Sequence, residues 1–291
     1  DGVGISGPGT SGNVVAGNYL GTDASGTVAL GNTFNGVDIF GGATNNTVGG
    51  TTARARNLIS GNGFSGNGFS AVSIGDAGTS GNVVEGNYIG TDVSGSAALG
   101  NAGSGVHVFR GASNNTIGGT SAADRNVISG NQANGILIEG SSATGNLVQG
   151  NYVGTSADGT SALANAFQGV SIDGAPNNTV GGTTPGAGNV ISGNANNGII
   201  LIGSTATGNV VQGNDVGTSA DGSSALPNGA AGIFIGDASF FVSSSTGAAS
   251  DNTVGGTTNA ARNVISGNAG DGVFLRGTGT GSGPTANLVE G

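Results

Sequence analysis

One octapeptide recurs four times along the chain, as NNTVGGTT at 45–52 and 177–184, NNTIGGTS at 114–121 and DNTVGGTT at 251–258. Each copy boxes one aliphatic residue between Asn, Thr and Gly. Self-similarity at a fixed period constrains the architecture more than any other feature of a chain, because it implies one unit folded many times. The octapeptide belongs to a longer unit. That unit opens with Gly-(Val/Ile)-x-(Ile/Val/Leu) at Gly2, Gly36, Gly105, Gly135, Gly169, Gly198, Gly232 and Gly272, and with Ala in place of Gly at Ala71, in steps of about 29 to 40 residues.

Two further short segments follow in each unit, both headed by Asn. The first begins at Asn13, Asn46, Asn82, Asn115, Asn146, Asn178, Asn209, Asn252 and Asn287; the second at Asn18, Asn57, Asn87, Asn126, Asn151, Asn189, Asn214 and Asn263. Two positions after each Asn stands Val, Ile or Leu, for example Val48, Val84 and Ile117 after the first and Ile59, Ile89 and Ile128 after the second. Side chains along a strand alternate between its two faces, and β-branched residues suit a pleated, half-buried surface. A unit of three short strands cannot bury its aliphatic row alone, whereas stacked units can.

The chain therefore reads as an all-β right-handed parallel β-helix, a solenoid with three short strands per coil and about eight to nine coils. A single domain is expected over 1–291, about 40 Å long at the spacing of paired strands. A rival parse divides each double unit of roughly 63 residues into three coils of about 21. Two coils are preferred because the three strand signals then align unit by unit. Alternate coils carry different excursions: TTARAR at 51–56 and TSAADR at 120–125 in one type, TDVSGSAALGN at 91–101 in the other. Excursions of one type should line up as a ridge.

Composition supports positional rather than disordered glycine: 64 of 291 residues are Gly, 4% are aromatic and 8% charged, yet Val and Ile keep their register. The absence of Cys excludes disulfides and thiolate metal sites. A net charge of −10 with no Lys argues against nucleic acid and anionic lipid as partners, and no apolar run is long enough to insert in a membrane. The ends, DGVGI and ANLVEG, are those expected of a segment of a longer chain or fibre.

The pattern GxxI…NxVxGNxIGT…ALGN…NNTIGGT…RNVISGN, running through essentially the whole chain, resembles the right-handed parallel β-helix repeats of large secreted or cell-surface bacterial proteins. Their fold is similar to that of the pectin-lyase-like enzymes. The resemblance implies right-handed winding and a secreted or surface location. It is weak for function, since one fold hosts many activities.

Enzymes of that class place carboxylates with Arg or Lys on the outer face of one strand ladder. Here the best constellation is Glu139 and Asp173 on adjacent coils, with Arg110 and His107 nearby. Two carboxylates one strand apart approach the spacing of a retaining glycosidase pair, roughly 5 Å. The plainer reading is a solvated charge pair. His107 is the single histidine, which excludes His-based metal clusters. Asp23, Asp92, Asp158 and Asp221, in TDxSG and SADG loops, resemble fragments of calcium loops, but each loop offers one carboxylate to an ion that takes six to eight oxygens. No cofactor is expected, and calcium is the only metal the loops suggest.

Two insertions depart from the repeat. GNGFSGNGFS at 61–70 carries Phe64 and Phe69, and ASFFVSSSTGAAS at 238–250 carries Phe240 and Phe241; with Phe234 and Phe274 they are candidates for packing over the core or for contact with a partner. The functional expectation is a non-enzymatic extracellular scaffold, structural or adhesive, that self-associates end to end or laterally into a filament or surface layer. A polysaccharide lyase or hydrolase using Glu139 and Asp173 is the first alternative. A carbohydrate-binding adhesin without catalysis is the second.

Overall fold

The computed structural model describes residues 1–63, 69–241, 245–277 and 283–291. Its strands form three parallel sheets, and the same strand of each coil pairs with its counterpart in the next. The first sheet has nine strands, from Val3–Ser6 to Val273–Arg276; the second nine, from Val14–Val15 to Leu288–Val289; the third eight, from Tyr19–Leu20 to Val264–Ile265. This is the right-handed parallel β-helix, wound in the sense that parallel crossovers favour. Among the described residues the only helix is one 3-10 turn at Ala238–Phe240.

The aliphatic rows predicted from sequence line the inside. Val48 pairs with Val84 and Val84 with Ile117, and all three are 0% exposed. Ile59, Ile89 and Ile128 form the equivalent row in the third sheet and are equally buried. One continuous core runs along the axis. Each such side chain contributes about 1.5–3 kcal/mol relative to exposure.

Three columns of Asn mark the corners of every coil, and they are where the buried polar groups are paired. In the column headed by Asn13, the Asn46 Nδ2 donates to Asn82 Oδ1 at 3.0 Å, and Asn82 Nδ2 donates to Asn115 Oδ1 at 3.0 Å. The column headed by Asn18 does the same, with Asn87 Nδ2 donating to Asn126 Oδ1 at 3.0 Å. Most of these amide oxygens accept a second time from the main-chain N–H of the Asn one coil earlier, as Asn126 Oδ1 does from Asn87. The second amide hydrogen reaches a strand carbonyl, as Asn126 Nδ2 reaches Val84 O at 2.8 Å. Buried amides are tolerated because they are satisfied in this way.

The third column was not expected. It runs Asn32, Asn62, Asn101, Asn131, Asn165, Asn194, Asn228 and Asn268, again linked side chain to side chain, at 2.8–3.0 Å.

The recurrence of NNTVGGTT in alternate coils has a local cause. The first Asn of the motif is left-handed, with φ of 55° at Asn45, 54° at Asn114 and 56° at Asn177, and Asp251 takes the same role at 57°. Asn and Asp accept this conformation better than other side-chain-bearing residues. The next coil has Gly at the same corner, and a Cβ added at Gly81, Gly145 or Gly208 would lie 2.4–2.5 Å from the Oδ1 of the Asn below. At these three corners the Asn side chain of one coil requires glycine in the next, whereas Asp251 is followed by Ala286, itself left-handed at φ 54°.

The excursions of the second coil type do stack as a ridge. Each is closed by an antiparallel bridge, Thr22 to Ala29, Thr91 to Ala98, Thr155 to Ala162 and Thr218 to Ala225. Main-chain bonds join one to the next across two coils: Val93 N–H to Gly26 O at 3.0 Å, Ala157 N–H to Gly95 O at 2.9 Å and Ala220 N–H to Gly159 O at 3.0 Å.

Outside the third sheet, Arg56 lies over the Tyr88 ring and Arg125 over the Tyr152 ring, each at 4.0 Å. The next repetition loses both partners together, with Gly188 at the Arg position and Asp215 at the Tyr position. Burial there pushes the Asp215 carboxyl above the usual carboxylate range.

Candidate functional site: a trough on the first sheet

The first sheet has two outward-pointing rows, exposed in part and covered in part by neighbouring segments. One runs through Asp38, Ser73, His107, Leu137, Ser171 and Ile200; the other, two residues on, through Phe40, Gly75, Phe109, Glu139, Asp173 and Ile202. Insertions and corners rise on either side of these rows and leave two adjoining hollows. The first, about 440 Å³, is lined by Asp38, Phe40, Phe69, Asp76, Phe109 and Arg110 among others. The second, about 540 Å³, is lined by Leu137, Glu139, Phe167, Asp173, Ile200 and Phe240 among others. The two share Ser70 and His107, so they form one trough along the axis. From the strand of Asp38 to the strand of Ile200 it crosses five strand spacings, about 24 Å.

At its middle, His107 Nε2 lies 3.2 Å from Glu139 Oε1, one coil on. The distance suits an ion pair once the imidazole is protonated, although the angle misses that of a hydrogen bond. The imidazole stacks on the Phe109 ring, centroids 4.4 Å apart and planes inclined by 16°. Phe109 lies flat because residue 75 of the neighbouring strand is Gly: a Cβ there would meet the ring at 2.7 Å. Arg110, left-handed at φ 51°, turns back so that its guanidinium sits 5.1 Å from the same ring. At the near end, burial raises the Asp38 carboxyl above its ordinary pKa; the Ser73 hydroxyl bonded to it opposes that rise and Asp76 adds to it.

Of the four candidates, His107 lies beside Glu139, and Arg110 lines the first hollow with His107 but not the second, where Glu139 and Asp173 are. Glu139 and Asp173 are Cα partners on adjacent strands. Asp173, however, is 4% exposed, because the insertion after Phe234 folds back across two coils and Ser245 donates its hydroxyl to Asp173 Oδ1. Asp38 and Asp76 belong to the same trough and were missed. Each is an isolated carboxylate in the sequence, and only the coil register places it beside the others.

The insertion also decides the place of several aromatic candidates. Phe234 is 4% exposed although it points outward, since it packs in a small second cluster with Ile200, Ile202, Ala238 and Phe241. The Phe241 and Phe274 rings meet it edge on, at 5.1 and 5.8 Å. Phe240 stays partly exposed on the rim, beneath the Arg276 guanidinium at 4.0 Å. Phe69 packs edge on against Phe34 at 5.0 Å, and Phe64 lies outside the described residues. Phe167, half exposed on the opposite rim, was not singled out by sequence.

The loop aspartates are turned inward on their own hairpins. Asp23 Oδ1 accepts from the N–H of Thr27 and Val28, and Oδ2 from the Ser25 hydroxyl, which together lower its pKa to about 2. Asp92, Asp158 and Asp221 are held by the Ser or Thr of their own loops in the same manner, and all three are shifted downward. Among the described residues no group of three or more His, Asp or Glu is placed to hold a metal ion, and no helix is long and apolar enough to cross a membrane.

No family model matches the chain, and no curated protein does. Two solved structures do. The Azotobacter vinelandii mannuronan C-5 epimerase AlgE6 A-module is 16% identical over 99% of this chain and 77% of that one, with a TM-score of 0.47. The AlgE4 A-module from the same organism is 16% identical over 100% of this chain and 82% of that one, with a TM-score of 0.37. At these TM-scores neither likeness carries the argument further, and the chemistry of the trough is read from this chain's own residues.

Proposed function

We propose that this β-helix is an extracellular scaffold whose trough on the first sheet binds an extended glycan chain. The observation that carries the reading is the trough itself: about 24 Å of groove along the axis, with partly exposed phenylalanines at Phe40, Phe167 and Phe240 and hydroxyl, amide and carboxylate groups between them. Concave sites that combine apolar faces with a few convergent polar groups are the general form of a ligand site. Aromatic rings offer flat apolar area that stacks on the faces of sugar rings at little conformational cost. The rigid floor suits repeated contacts, because each coil fixes its neighbour.

The test is binding to a panel of soluble oligosaccharides, followed by Phe40→Ala and Phe167→Ala. Both rings are partly exposed and outside the main core, so the variants keep the wild-type melting temperature. Each should weaken binding about tenfold, the loss of roughly 1.4 kcal/mol of ring contact. Binding that neither variant alters would place the ligand elsewhere, and a panel without any binder would end the reading.

A second reading, cleavage of the bound glycan, is favoured by one observation: the contact of His107 with Glu139 in the middle of the trough. An imidazole and a carboxylate at that distance can hold and pass a proton. New reducing or unsaturated ends, formed by the wild type and lost in Glu139→Gln while binding persists, would support catalysis. Unchanged oligomers after long incubation with bound protein would leave binding as the whole function.

A further inference from the structure

The outward row of the second sheet follows a pattern that the winding itself does not require. Where the corner before the strand is Gly12, Gly81, Gly145 or Gly208, the outward residue is aliphatic: Val14, Val83, Leu147 and Val210. Where the corner is Asn45, Asn114 or Asn177, it is Thr47, Thr116 or Thr179. A left-handed corner accounts for Asn or Gly there. It does not account for Thr, because the same position takes Val or Leu in the coils on either side, in one continuous register. Asn-Asn-Thr is therefore completed in three coils. Of the 34 asparagines in the chain, Asn45, Asn114 and Asn177 alone have Ser or Thr two residues later.

The two asparagines of each tripeptide are placed differently. Asn46, Asn115 and Asn178 are 0% exposed, with their amides bonded in the ladder. Asn45, Asn114 and Asn177 are exposed. Among the described residues no hydrogen bond holds the side-chain amide of Asn45 or Asn177, and Asn114 Nδ2 has only the Ser113 hydroxyl, at 3.5 Å. In all three the Oδ1 lies over the glycine of the next coil, and the nitrogen, on the other arm of the amide, is turned away from it. They stand in line along the corner that joins the first sheet to the second, two strand spacings or about 10 Å apart.

We infer that Asn45, Asn114 and Asn177 are N-glycosylation sites, so that a row of covalently attached oligosaccharides runs along this corner. An exposed, unengaged Asn amide with a hydroxyl two residues on is the acceptor such a reaction needs. The donor class is an oligosaccharide carried on a polyprenyl phosphate. Asn Nδ2 bonds to the anomeric carbon, the bond from that carbon to the phosphate oxygen breaks, the carrier phosphate leaves and the amide gives up one proton. Nothing is oxidised or reduced. The buried ladders keep every bond they have, since the outer amides take no part in them. The fourth copy of the motif is an internal comparison: Asp251 holds the same exposed, left-handed corner ahead of Thr253, but it has no amide nitrogen. Nothing here depends on what the trough binds.

The experiment is glycopeptide mass spectrometry of the whole chain recovered from the cells that produce it. Saccharide is expected on Asn45, Asn114 and Asn177, and none on Asn46, Asn115, Asn178 or Asn252. Thr47→Val copies the Val83 that occupies the same outward position one coil on, so the variant should keep the circular dichroism of the wild type. It should lose the saccharide at Asn45 and retain the other two. Bare asparagine at two or more of the three sites would overturn the inference. So would saccharide that persists at Asn45 in Thr47→Val, or that is carried by the threonine hydroxyls instead of the amides.

Discussion

Replacing Asn126 by Ala should destabilise the protein by about 4 kcal/mol or more, among the largest effects of any single substitution. The side chain is 0% exposed and makes four hydrogen bonds: it accepts from Asn87 N and Nδ2, and donates to Val84 O and Asn151 Oδ1. Truncation strips a partner from each of these groups in a place closed to solvent, at about 1–3 kcal/mol for each donor or acceptor left unpaired. The damage should spread along the axis, because the stability of a solenoid resides in the interfaces between neighbouring coils. Asn18→Ala is the control, since it removes the same amide from an exposed rung. It should cost no more than about 1 kcal/mol. Urea unfolding of the two variants checks the pair; similar midpoints would mean that the ladders contribute little to stability.

Gly118→Ala is the second large effect, expected at about 4 kcal/mol. Gly118 has φ +88°, where a Cβ costs about 1–2 kcal/mol on conformational grounds. It also faces Gln149 of the next coil, whose main-chain oxygen would stand 1.9 Å from the new Cβ. That oxygen accepts from Gly119 N–H at 3.0 Å and cannot retreat without breaking the bond, which adds about 1–3 kcal/mol of overpacking. Gly140→Ala separates the two causes. Its φ is +91° but nothing lies within 4 Å of the added carbon, so only the conformational part, about 1–2 kcal/mol, should appear. Melting temperatures that drop equally in the two variants would show that inter-coil contact at Gly118 is looser than the structure has it.

The fold was legible because its determinants are local and repeated. Val48, Val84 and Ile117 carry their place in the sequence through the preceding Asn, and each is fully buried as that spacing requires. The third Asn column was overlooked for a physical reason. In one coil type a hairpin separates it from the preceding strand, so Asn18 to Asn32 is a longer step than Asn57 to Asn62. Counted backward from the next opening strand the signal is regular: Asn32, Asn101, Asn131, Asn165, Asn194, Asn228 and Asn268 each stand four residues before the leading Gly. Only Asn62 breaks the rule, because the insertion at 61–70 follows it.

The trough was less legible than the core. Glu139 and Asp173 could be paired by register, but Asp38 joins them only across several coils, and its neighbour Asp76 lies just past the end of a strand. The burial of Asp173 and of Phe234 depends on the insertion at 238–250 crossing back over earlier coils, and nothing in the repeat specifies where an insertion lands.

The account depends on the number of layers between two distant points of the chain, and a single distance measures it. Thr47 and Thr253 point outward from the second sheet and are separated by six strand pairings. The chain has no Cys, so spin labels on Thr47→Cys and Thr253→Cys would be unique. Pulsed dipolar spectroscopy should give a distance near six strand spacings, about 29 Å plus the reach of the labels. A value near nine spacings, about 43 Å, would mean three coils where two are described, and would contradict the winding, the ladders and the trough together.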